Sequence, residues 1–468
     1  MRLAGLADVS SRSPIEQIRR LFAGSDVARQ RRETVFLFLL RGAGAAFAFF
    51  TQIAIARWAG ADAFGIYAVA WTWIIVLGTL AQGGFGISMT RFIARYGERG
   101  REWRVWQTIG FAAFFVSGSS LCAALVGGLI VYFRGEGPIS YRDVAFLIAM
   151  AAVPLYAFSE LGKGVLRGLG DNAMAYAPGY LLRPALLFVL VALGAWGIGG
   201  TWGAGGTADV VALDPVFILT ATFISLAVVA LWQWVRIVRR KRQKLPTGAG
   251  PVRWHARHWL AVSLPMVMVD GHYLLVSYMD LLVLDLFVPA EDVARYFAAV
   301  KIIALVWFVP FAVSGIGARV LAKSFERRKG AEFEEAVRRF AHWSFWPTLG
   351  FAVLLSLFGE WALLAFGPGF DEGIWVLRLL ALGLVVQAAC GPVKFLMTMT
   401  SEQNASAVIL IATAIANIGL NFTLIPLWGL EGAALATVVT QALACGLMVV
   451  QAKRKLGVWS FVGSFSRR

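Results

Sequence analysis

Charge is scarce in this sequence. Only 15% of the 468 residues are Asp, Glu, Lys or Arg, whereas 59% are hydrophobic, and the mean hydropathy is +0.70. A soluble domain of this length has no use for that much apolar surface, because burial scales with one core and not with the whole chain. The soluble classes are thereby excluded, and a polytopic helical membrane protein remains. Cysteine is scarcer still: Cys122, Cys390 and Cys445 all fall within apolar segments and read as small packing residues. That excludes a disulfide framework or a thiolate metal centre. Of four histidines, only His255 and His258 ("HARH") have a ligand-like spacing, in a basic loop without a third ligand, so no metal and no cofactor are expected. The first 34 residues lack a continuous apolar run, which argues against a cleaved signal peptide. Instead "SPIEQIRRLF" offers Ser13 as N-cap, Pro14 at the first helical position and Glu16 to close a capping box, with Ile15, Ile18, Leu21 and Phe22 on one face of an interfacial helix.

What is present is long apolar runs. Segments able to cross about 30 Å of hydrocarbon lie near 35–58, 64–88, 107–133, 143–162, 173–197 and 214–236, then 260–288, 294–317, 342–366, 374–398, 403–427 and 430–452. The fourth is the weakest, because "SELGKGVLRGLGD" puts polar residues and glycines at its end. Twelve spans with a cytoplasmic N-terminus place 34 of the 43 Lys and Arg in inside segments and three, Arg134, Arg142 and Arg295, in outside loops. This asymmetry follows the positive-inside rule, and one span more or fewer would scramble it. The net charge of +16 is therefore topological, helped by anionic lipid headgroups, and does not indicate nucleic acid. The expected organisation is a cytoplasmic N-terminal segment (1–34), a first lobe (35–236), a basic cytoplasmic linker (237–259), a second lobe (260–452) and a cytoplasmic tail (453–468).

The chain reads as a duplication. "RWAGADAFGIYAVAWTWIIVLG" from Arg57 aligns with "LFVPAEDVARYFAAVKIIALVW" from Leu286, so that Ala61 meets Ala290, Asp62 meets Glu291 and Tyr67 meets Tyr296. Six spans followed by six more, both entering from the cytoplasm, give a parallel repeat. The fold class expected is an all-α polytopic membrane protein with twelve transmembrane helices in two parallel six-helix lobes, related by a pseudo-two-fold along the membrane normal. Such lobes leave a cavity that can open to alternate sides.

"QIAIARWAGADAFGIYAVA", the Gly-rich second span followed by Arg91 and Arg95, and the ending "PLWGLEGAALATVVTQAL" resemble the Wzx-type polysaccharide-export flippases of the multidrug/oligosaccharidyl-lipid/polysaccharide (MOP) superfamily. The resemblance runs over roughly residues 34–455. It implies a transporter, not an enzyme, that moves an undecaprenyl-pyrophosphate-linked oligosaccharide from inner to outer leaflet by alternating access. It also implies a multi-pass protein of the bacterial inner membrane with both termini cytoplasmic, working beside a polysaccharide polymerase and export machinery. The peptidoglycan-precursor flippases of the same superfamily usually carry two further spans, which are not found here. Two alternatives stay open: a cation-coupled multidrug exporter of that superfamily, and a membrane-embedded glycan polymerase or ligase. The second would ordinarily present a large external loop, and the longest here is about seventeen mostly small residues.

Ionisable groups at depth carry the functional expectation. Arg41 lies about 10 Å inside the first span, counting 1.5 Å per residue, and could snorkel to the surface. Arg183, near the middle of the fifth span beside Pro184, could not. Arg41, Arg183 and Lys301 are expected to make the cavity cationic for a lipid pyrophosphate, with guanidinium as the better bidentate donor. Gln52, Tyr67, Tyr273 and Tyr278 are candidate walls for the sugars. The 229-residue repeat sets Arg41 opposite Asp270, which suggests a cavity ion pair. Asp270 or His272 could carry a coupling proton, and sodium is the other coupling ion considered.

Overall fold

The computed structural model describes residues 26–134, 139–202, 213–244, 254–307, 330–391, 393, 396–397 and 403–463. The expected interfacial helix around Ser13, most of the basic linker and the 203–212 loop lie outside the described residues, as do the side chains of Asp270, His272 and Tyr273. Among the described residues there are helices and short turns, and no strand.

Helix α1 (Asp26–Ala81) has 56 residues, which at 1.5 Å per residue would extend about 84 Å if straight. That is far more than a bilayer, and Gly60 breaks it with φ 80°, a left-handed backbone that glycine adopts at no steric cost. The chain continues as α2 (Phe85–Glu98), α3 (Glu102–Arg134), α4 (Tyr141–Gly168) and the short α5 (Asn172–Ala177). A π-helical turn at Pro178–Leu182 leads into α6 (Arg183–Trp202), followed by α7 (Pro215–Lys244). The second half comprises α8 (Ala256–Phe287), α9 (Ala290–Val306), α10 (Gly330–Leu364), α11 (Ile374–Ala389) and α12 (Gln403–Leu456). Helix α12 has 54 residues and breaks at Gly429, φ 53°, as α1 does at Gly60. Among the described residues, eight helical segments are long and apolar enough to cross a membrane, and the molecule is a multi-pass membrane protein.

Three helices differ from the spans expected. The second run does not continue through residue 88 but stops at Ala81, turns through positive-φ Gly83 and Gly84, and restarts as amphipathic α2, whose apolar side (Phe85, Met89, Phe92, Ile93, Tyr96) is buried. The weak fourth span is a full helix to Gly168. Its glycine-rich end is a packing face with Leu161, Val165 and Leu166 buried, and small residues there let helices approach. The span expected from 342 begins earlier, as a helix from Gly330 that buries Phe333, Val337 and Phe340 against Leu396 and Val458.

The main core joins the two halves. Helix α1 packs on α8 and α9, α4 packs on α7, and α11 packs on α10 and α12. Phe64, Tyr67, Ile74, Phe297, Phe366 and Phe370 belong to one continuous buried cluster. A second cluster seats Trp259 of α8 among Phe85, Phe111 and Leu161 of the first half.

Candidate functional site

Proline builds the first part of the site. Pro184 has no N–H to offer the carbonyl one turn back, and its ring crowds that carbonyl, so the helix widens. The widening is the π turn Pro178–Leu182, a form that often marks functional positions. Helix α1 fits against this turn because Gly44 carries no side chain: a Cβ there would lie 2.7 Å from the Tyr180 carbonyl oxygen. Thr51 Oγ bonds the Phe47 carbonyl (2.9 Å) and reaches that of Pro184 (3.5 Å).

Arg41 stands beside this turn. Its Nη2 donates to the Tyr180 hydroxyl at 3.3 Å, and its guanidinium carbon lies 5.5 Å from the ring centroids of both Tyr176 and Tyr180. Guanidinium over an aromatic face is held by the ring quadrupole while its edge N–H groups stay available for hydrogen bonding. Asp270 sits on α8, but its side chain lies outside the described residues, as do those of His272 and Tyr273.

Arg183 follows the π turn directly. Its guanidinium carbon lies 4.2 Å from the Trp71 ring centroid, and its buried Nε has no hydrogen-bond partner among the described residues. Its charge acts on Tyr67, on Tyr156 and, from across the halves, on Lys301. Lys301 Nζ lies 4.3 Å from the Phe297 ring centroid. Two half-buried cations of one sign thus lie within electrostatic reach of each other from the two halves.

Tyr67 and Gln52 adjoin them. Gln52 Nε2 donates to the Tyr67 hydroxyl at 3.4 Å, whereas Gln52 Oε1 is buried without a partner among the described residues. Tyr67 is only 1% exposed, so in this conformation its ring is core and only its hydroxyl addresses the polar cluster. Tyr156 meets Trp71 edge to face at 5.9 Å, and Tyr278 is half-buried within electrostatic reach of Tyr156.

A second polar cluster was not anticipated. Asp280 of α8, 7% exposed, accepts from the Tyr296 hydroxyl at 2.9 Å, from Asn421 Nδ2 at 2.6 Å and from the Thr437 hydroxyl. Asn421 Nδ2 also reaches Asn417 Oδ1 at 3.1 Å, and Asn417 donates to Thr440 at 3.3 Å. The buried Asn421 Oδ1 has no partner among the described residues. The hydrogen-bond partners of this carboxylate among the described residues are all neutral. A buried negative charge so placed is costly unless a proton or a cation joins it.

The two clusters correspond. Tyr67 bonds to Gln52, 15 residues before it, and Tyr296 bonds to Asp280, 16 residues before it. The sequence signal was available: the shift that aligns the two tyrosines takes Asp280 to Thr51, next to Gln52. Trp71, Tyr176 and Tyr180 gave no such signal, because aromatic residues are common in any apolar span.

No family model matches this chain, and no curated protein matches it either. Solved structures do. An inward-facing multidrug resistance MATE family transporter of the MOP superfamily is 16% identical over 89% of this chain and 94% of its own, with a TM-score of 0.67. The lipid II flippase MurJ, in an inward closed conformation, is 12% identical over 90% of this chain and 87% of its own, with a TM-score of 0.69. A MOP superfamily transporter from Pyrococcus furiosus, described as having a binding pocket of reverse polarity, is 18% identical over 90% and 95%, with a TM-score of 0.57. The fold is that of the membrane transporters of the MOP superfamily, the class to which the resemblance in the sequence pointed.

Proposed function

We propose that this protein flips a lipid-pyrophosphate-linked oligosaccharide across the bacterial inner membrane, by alternating access between two parallel six-span lobes with both termini in the cytoplasm. The observation that carries the reading is the seating of Arg183 over Trp71 with its buried Nε unbonded among the described residues, with Lys301 of the other half, over Phe297, within its electrostatic reach. Like charges in an apolar seam repel until an anion lies between them, and a diphosphate supplies the charge and acceptor oxygens to do so. The substrate would therefore draw the lobes together, as an alternating-access transporter requires, because a ligand shifts a conformational equilibrium only by binding one state better. Arg41, in its tyrosine clamp one turn before Arg183 on the same wall, would extend the cationic track toward the cytoplasm. Buried polar atoms of Gln52 and hydroxyls of the surrounding tyrosines would meet the sugars.

Asp280 would carry the coupling ion, a proton or a sodium ion, in place of the Asp270 and His272 suggested by sequence. It has the burial and the oxygen-rich neutral surroundings that such an ion needs. Polysaccharide polymerase and export machinery would be the partners on the outer side.

The test is accumulation of lipid-linked oligosaccharide on the inner leaflet. Arg183→Ala and Lys301→Ala should each raise the inner-leaflet pool as deletion of the whole protein does, and Arg183→Lys should restore transport only partly, because ammonium lacks the bidentate fork. An unchanged pool combined with raised dye sensitivity would favour the drug exporter.

A further inference from the structure

Taking the orientation proposed above, we infer that Arg57 and Arg142 are the latches of an outer gate whose plug is Phe64, and that they hold the two halves shut on the outer side. Three polar contacts at that end of the molecule support this. Arg142, at the start of α4, meets Asp285 near the end of α8 with Nη2 to Oδ1 at 2.6 Å. Arg57, at the end of the first span within α1, donates Nε to the Ala365 carbonyl at 2.7 Å and Nη2 to the Leu364 carbonyl at 3.3 Å. Those carbonyls belong to the last residue of α10 and the one after it, at the negative end of the helix dipole. Each latch is a cation of the first half on an acceptor of the second.

The same end of the molecule carries an apolar seam. The buried Phe64 ring stands 5.6 Å from Phe297 and 6.1 Å from both Phe366 and Phe370, all in the second half. Beside it the backbones nearly touch: a Cβ on Gly65 would lie 1.8 Å from the Ala290 carbonyl oxygen, so only glycine permits the closed contact. The plug makes no directional bonds and can separate cleanly, whereas the latches are polar and can exchange their partners for water. Arg142 is 42% exposed and Asp285 only 13%, so opening would rehydrate a half-buried pair at modest cost. At the other end, the first half is tied to α8 by Ser88 to Ser263 (2.7 Å) and by Tyr96 to Trp259 (3.2 Å), so α8 is anchored to the first half at both ends.

The experiment reads gate opening without transport. In a background with Cys122, Cys390 and Cys445 replaced by serine, Lys301→Cys sits behind the plug as a reporter. Its labelling by a membrane-impermeant maleimide, added from outside, is timed in intact cells. The expected parent rate is slow. Arg142→Ala and Arg57→Ala should each speed labelling about fivefold, the scale of one partly exposed pair. Gly65→Val, which cannot close, should speed it further. The exchange Arg142→Asp with Asp285→Arg should return the rate to that of the parent, which guards against variants that merely misfold. The latch is overturned if the parent labels as fast as Arg142→Ala, if no variant changes the rate, or if the exchange labels as fast as the single change. Failure of the flippase reading would appear as an unchanged glycan pool with the labelling pattern intact, so the two outcomes are separable.

Discussion

At the scale of single residues, Asp280 and Arg183 are mirror problems. Asp280 is a buried carboxylate with neutral donors around it, and Arg183 is a half-buried guanidinium with an unused Nε. Each is held by what its own half supplies: hydroxyl and amide donors for the acid, the Trp71 face for the base. Cation–π contact of this kind is worth about 0.5–2 kcal/mol, enough to hold the head in place but not to neutralise it. If Asp280 takes up the coupling ion, Asp280→Asn should keep the protein folded: an amide oxygen in place of Oδ2 still accepts from Tyr296 and Thr437, and the amide nitrogen in place of Oδ1 gains an acceptor in Asn421 Oδ1 once that amide turns over. The same change should abolish any dependence of transport on sodium or on pH. The check is uptake into vesicles under an imposed sodium or proton gradient. Persistence of gradient dependence in the variant would remove Asp280 from the mechanism.

At the scale of elements, the π turn sets where Arg183 points. A π turn accommodates one extra residue per turn, so converting it to α-helix would rotate everything beyond it by roughly 100°. Pro184→Ala restores the missing N–H and should let the helix regularise. The expected result is a protein as stable as the parent, or more so, that fails to clear lipid-linked glycan because Arg183 has left Trp71. Gly44→Val is the complementary change. It drives a side chain into the Tyr180 carbonyl, so it should lower both the melting temperature and transport. Melting curves beside the glycan assay distinguish the two, and loss of stability without loss of transport in Pro184→Ala would show that the turn does not position Arg183. The turn was legible only in outline: Pro184 announces a loosened helix, but proline alone does not say whether the chain kinks or inserts a residue. The break between Ala81 and Phe85 was hidden for a similar reason, because "GGFG" is apolar enough to read as membrane.

At the scale of the whole molecule, what was legible was what repeats. The 229-residue shift aligns Tyr67 with Tyr296, and each bonds a polar side chain 15 or 16 residues before it. Hydropathy recovers spans because the bilayer imposes one length on all of them, whereas the pairing of charges depends on helix rotation, which hydropathy does not encode. Duplication also makes a claim about orientation that composition alone could not: a parallel repeat puts corresponding ends of both halves on the same side, and an inverted repeat puts them on opposite sides. In the cysteine-replaced background, Ile139→Cys in the first half and Leu427→Cys in the second are exposed positions at ends assigned to the outside. Glu98→Cys and Glu334→Cys are exposed positions at ends assigned to the inside. An impermeant maleimide should label the first two in intact cells and the latter two only after permeabilisation. If Leu427→Cys and Glu334→Cys exchange behaviour while the first-half pair keeps theirs, the halves are inverted. The pseudo-two-fold along the membrane normal would then be lost.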